Sequence, residues 1–104
     1  MNTKTQYINK MVEGLNYNLG HLIEAHRNSN HKEKNMAYKQ TKKHIEALYD
    51  LGHITYKVAV LLVKKLYKAF KLAYNEAKKT YDEIMEIVKD IKQIRNDIRE
   101  IKKL

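Results

Sequence analysis

Isoleucine recurs from Ile84 to Ile101 through Ile87, Ile91, Ile94 and Ile98, always three or four positions apart, which is the periodicity of a coiled-coil seam. Carried backwards, the same frame meets Thr80, Ala77, Ala73, Phe70, Leu66, Val63, Ala59 and Tyr56, so a single register runs through the second half of the chain. Between Thr55 and Leu104 no proline, glycine or loop-like cluster interrupts it. The pattern therefore predicts one continuous helix, about 75 Å long at 1.5 Å per residue.

Two shorter helices precede it. Thr3 and Gln6 have capping-box spacing, and Ile8, Met11, Val12, Leu15, Leu19, Leu22 and Ile23 then recur at helical intervals, predicting a first helix to about Ala25. Gly14 and Gly20 each weaken it by roughly 1 kcal/mol relative to alanine unless they allow a close helix contact. Arg27 to Asn30 is loop-like, with Asn30 and Glu33 spaced as an N-cap and its partner. The second helix is expected over His31 to Leu51, anchored by Ile45, Leu48 and Leu51 in its second half. Gly52 is suited to the left-handed position that ends a helix, and Thr55 to the next N-cap. The expected fold is all-α: a short three-helix head (1–79), with two shorter helices packed on the first half of a long C-terminal helix, and a coiled-coil extension (80–104) continuous with the third helix.

With Ile84 at heptad position a, Asp90 and Asp97 fall at g and Arg95 and Lys102 at e, so a parallel homo-oligomer would pair opposite charges. The expected interface is Ile84, Ile87, Ile91, Ile94, Ile98 and Ile101 with those four charged residues, in a parallel dimer or trimer. The competing outcome is that the ladder folds back on the first helix, since short bundles use the same spacing.

The chain has 104 residues and a formal charge of +9, which suits an acidic partner. Residues 80–104 are charge-balanced, so the excess lies upstream. Within 54–79 every charged residue except Glu76 is a lysine: Lys57, Lys64, Lys71 and Lys78 at seven-residue steps, with Lys65, Lys68 and Lys79 adjoining. A second patch holds Arg27, Lys32, Lys34, Lys39, Lys42 and Lys43, near His26, His31 and His44. Such patches can bind DNA or RNA through phosphates by counterion release, without reading bases; the plain alternative is a solvated face that keeps a helical oligomer soluble. Leu48 to Thr55 has the outline of a helix-turn-helix, but the following helix begins with Val58 to Val63, apolar where a recognition helix needs polar side chains.

Candidate chemistry is sparse. No cysteine is present, the histidines form no metal-ligand spacing, and neither a phosphate loop nor a nucleophile in triad context occurs. No cofactor, metal or enzymatic activity is expected. The longest apolar run is far below the roughly 20 residues that span a bilayer, and Met1 to Gln6 lacks the apolar run of a signal peptide, so a cytoplasmic protein is expected and a membrane is disfavoured. The leading expectation is a self-associating, basic helical accessory or regulatory protein that contacts nucleic acid or a nucleoprotein complex. The alternative is a protein-only adaptor or inhibitor, of the phage or plasmid type, that masks a partner's surface.

Overall fold

The computed structural model describes residues 3–103, with the side chains of residues 3–92. These form four helices and no strands: α1 (Thr3–Arg27), α2 (His31–Asp50), α3 (Tyr56–Lys71) and α4 (Tyr74–Lys103). Each helix packs on its sequence neighbour, and α1 closes the ring against α4. Connections this short make successive helices antiparallel, an up-down-up-down bundle measuring 47 × 21 × 21 Å.

The two turns that were legible in the chain are built by local chemistry. The Glu33 amide donates to Asn30 Oδ1 at 3.3 Å, and the Val58 amide to Thr55 Oγ1 at 3.2 Å. Gly52 has φ +74, and the amides of Gly52 and His53 bond back to the Tyr49 and Leu48 carbonyls, a Schellman ending. The end of α1 repeats this geometry with Ser29 (φ 56) in the left-handed position.

The long third helix is the main correction. Instead of running from Thr55 to the C-terminus it stops at Lys71; Leu72 is extended (φ −84, ψ 159), and α4 starts two residues later. No proline or glycine marks the reversal. What holds it is tertiary: Leu72 packs against the core, and His26, at the end of α1, sits over the junction. The Tyr81 hydroxyl donates to His26 Nδ1 at 2.7 Å, the Leu72 backbone lies beside the imidazole, and the imidazole ring meets Tyr74 and Tyr81 edge-on.

Because the chain reverses, the first part of the isoleucine ladder is covered by the chain's own helices. Ile84 and Ile91 are only 1% and 4% exposed, so as interface residues they are already occupied in the monomer. The buried stripe of α4 is Ala77, Thr80, Tyr81, Ile84, Val88 and Ile91; Ile87 is half-buried at its edge and Asp90 is exposed. The seam thus keeps Ala77, Thr80, Ile84 and Ile91 but turns away from Ile87, because Tyr81 and Val88 are drawn inward. The remaining expected interface residues, Ile94, Arg95, Asp97, Ile98, Ile101 and Lys102, lie outside the described side chains. Val12, Leu15, Leu19 and Leu22 of α1, Ile45 and Leu48 of α2 and Leu62 and Leu66 of α3 complete the core. The first half of α2 is held by Ala37, by Thr41, whose hydroxyl donates to the Ala37 carbonyl at 2.7 Å, and by Tyr38 against Phe70.

The two α1 glycines differ. A Cβ on Gly14 would lie 2.5 Å from His44 Nε2, whereas one on Gly20 meets nothing within 4 Å. In urea denaturation, Gly20→Ala is expected to raise stability by about 1 kcal/mol, while Gly14→Ala should fail to stabilise, since the His44 ring must move out of its place against α1. Tyr81→Phe leaves the buried His26 nitrogen without its donor and should cost about 1–3 kcal/mol. Burial, then Lys34 and His31, holds the His26 pKa below its ordinary 6.5. The unfolded chain therefore takes up a proton near that value while the folded one resists it, so this contribution is fully present above the unfolded pKa and is lost as pH falls towards the depressed folded one. Melting temperature is expected to drop between about pH 7.5 and about pH 5, and less so in His26→Gln.

Candidate nucleic-acid interface

Helix α3 buries Ala59, Leu62, Leu66 and Ala69, which turns its lysines outward. Lys57, Lys64, Lys68 and Lys71 are exposed, and their spacing sets them within about 60° of one another around the helix. The stripe ends there. Lys78 and Lys79 lie exposed on α4, past the reversal, and do not continue it. Lys65 is withdrawn from it by an ion pair with Glu83; that hydrogen bond, with the charges of Lys65, Lys79 and Lys68, holds the Glu83 carboxyl below the usual carboxylate range. Lys65 therefore ties α3 to α4.

The second patch divides. Lys34 and Lys42 turn towards α3: Lys34 Nζ sits 4.5 Å over the Phe70 ring, and Lys42 shares a groove with Lys64. Lys32, Lys39 and Lys43 are exposed but fall roughly 140–180° around α2 from Lys34, on its outer side. Arg27 pairs with Glu24 at 2.6 Å at the end of α1. The five histidines are dispersed. His26 is buried, His44 donates from Nδ1 to the Gln40 carbonyl at 2.8 Å and packs on Gly14, and His21 meets Glu33 at 2.9 Å. Among the described residues no group of three His, Cys, Asp or Glu could hold a metal, and no helix is long and apolar enough to cross a membrane.

Packing α2 against α3 thus joins parts of two patches that are separate in sequence. The groove between them, about 340 Å³, is lined by Lys42, Ile45, Glu46, Tyr49, Tyr56, Ala59, Val60, Val63 and Lys64. Tyr49 and Tyr56 stack edge-on with centroids 5.7 Å apart at its end, and Tyr67, 49% exposed, carries Lys71 Nζ 4.6 Å above its ring. Glu46 is the one acidic residue lining the groove.

Sequence spacing alone did not reveal these tyrosines as part of a basic face. Tyr67, Tyr74 and Tyr81 sit seven apart and look equivalent, yet Tyr81 is in the core, Tyr74 lies beside His26, and Tyr67 is on the surface. The reversal at Leu72 separates them. Cations interleaved with aromatic faces can neutralise phosphates and stack on bases. Comparison with protein families, curated proteins and solved structures yields no match to this chain.

Proposed function

We propose that this is a non-enzymatic basic accessory or regulatory protein that binds nucleic acid, alone or within a nucleoprotein complex, through the α2–α3 face. The observation that carries this is that α2 and α3 bring Lys42 and Lys64 to the borders of one groove, which their apolar stems help line and whose end holds exposed Tyr49 and Tyr56. Lys57, Lys68 and Lys71 extend the face along α3. The contacts on offer are ammonium groups and aromatic rings, which suit phosphates and unstacked bases better than base edges in a groove. Binding of this type tolerates sequence change and weakens steeply with salt. Cytoplasmic location and self-association belong to the same proposal. The proposed pairing of copies runs through Ile94, Ile98 and Ile101.

A second reading is favoured by the apolar lining of the same groove together with Leu61, which is 43% exposed on α3. On that reading the face docks a protein partner and the lysines maintain solubility.

Retention on mixed-sequence DNA separates the two. The protein should bind at about 50 mM salt and elute well before about 200 mM; failure to bind at the lower value would sink the nucleic-acid reading and leave the adaptor. Charge reversal at Lys64, Lys68 and Lys71 to glutamate should abolish retention with unchanged circular dichroism, and loss of helicity instead would make the stripe structural. For self-association, Ile98→Lys combined with Ile101→Lys should lower the mass in solution to that of a monomer; an unchanged larger mass would refute pairing through the tail.

A further inference from the structure

The end of the bundle where the α1–α2 and α3–α4 turns meet holds a second cleft, about 360 Å³. Sequence places its walls far apart. Arg27, His31 and Lys34 come from the first turn, Lys71 from the second, and Ala73 and Tyr74 form the start of α4. Arg27, Lys34 and Lys71 bring three positively charged side chains to one opening. No acidic residue lines it; Glu24, outside the lining, is engaged by Arg27.

Lys34 is the informative group. It is half-buried, its ammonium rests on Phe70, and among the described residues no carboxylate pairs with it. Burial holds its pKa below the ordinary lysine value. A cation drawn partly out of water without a counter-charge is costly, and its positive field reaches His26, where it helps keep the imidazole neutral. Lys71 likewise has an aromatic neighbour and no carboxylate. With Arg27 paired to Glu24, the ammonium groups of Lys34 and Lys71 are the ones left without a carboxylate among the described residues. A phosphate dianion fits the cleft, because its oxygens diverge and can meet a guanidinium and two ammonium groups arriving from different sides.

We propose that this cleft is a binding site for one phosphate group, held by Arg27, Lys34 and Lys71. The group has two possible sources, a free phosphate or small phosphate ester and the backbone of a nucleic acid lying along the α2–α3 face. The site does not depend on the nucleic-acid reading, although it shares Lys71 with that face. Occupancy bridges the two turns, so a bound phosphate also stabilises the folded bundle.

The test is a titration of the full chain with inorganic phosphate at constant ionic strength, followed by amide chemical shifts. Saturable shifts confined to residues 26–34 and 71–74 are expected, with chloride producing none of them. Lys34→Met, which keeps the apolar stem on Phe70, should weaken phosphate binding about ten-fold, and Lys71→Gln should do likewise. Linear shifts spread over every lysine-bearing surface, or equal affinity in Lys34→Met, would overturn the proposal. A Lys64→Glu, Lys68→Glu variant separates the sources. It should lose oligonucleotide binding yet keep the phosphate titration, so failure of the nucleic-acid reading leaves this site standing, and loss of the titration alone removes the site without touching that reading. Competition by inorganic phosphate against an oligonucleotide at these same amides would identify the backbone as an occupant; two independent sets of shifts would identify a free phosphate.

Discussion

The hydrogen bond between the Tyr81 hydroxyl and His26 Nδ1 joins the end of α1 to the beginning of α4, and the architecture depends on what that contact permits. The chain between Thr55 and Lys103 is helix-forming throughout, and local preference alone would extend it straight. A single extended residue, Leu72, turns it back. An extended residue in the middle of a good helix is a small local loss that packing can offset. Burial of Tyr81, Ile84, Val88 and Ile91 against α1 and α3 provides that offset, at roughly 1.5–3 kcal/mol for each large apolar side chain. His26 makes the arrangement specific, since a buried imidazole nitrogen requires a partner, and the reversal supplies the Tyr81 hydroxyl.

Where local chemistry decides, the fold was legible. Asn30, Gly52 and Thr55 mark turns because an amide acceptor or a positive φ is needed at those positions, and these requirements are visible in residue type. The apolar stripe of α1 was equally clear. The reversal at Leu72 and Ala73 was not, because neither residue signals a turn and the cause lies in His26 and Tyr81, far away in sequence. The same blind spot misplaced the seam. Tyrosine looks like an edge residue in a heptad, and only a partner for its hydroxyl explains why Tyr81 is more deeply buried than Ile87.

The candidate sites follow the same division. The lysine periodicity of α3 survives as an exposed face because the helix itself survives, whereas Lys78 and Lys79 leave the line at the reversal and Lys65 is taken up by Glu83. Joining Lys42 to Lys64, and Arg27 and Lys34 to Lys71, requires the antiparallel packing of α2 on α3 and the meeting of two turns at one end of the bundle. Neither juxtaposition is encoded by spacing along the chain. Charge density was readable from composition, but the partition of that charge into an ion pair, a groove and a cleft is a property of the tertiary fold.

The start of α4 also bears on the order in which the molecule assembles. Ala73 occupies the capping position with no side-chain acceptor, unlike Asn30 and Thr55, so the first turn of α4 has little reason to begin there in isolation. The contacts that define it reach across 55 positions to His26, and closing so large a loop carries an entropic cost that the α1–α2 hairpin avoids. On loop-closure grounds the α1–α2 hairpin is the less costly contact to form, and it carries His26 at the end of α1. The last helix then acquires its starting point from the surface on which it lands.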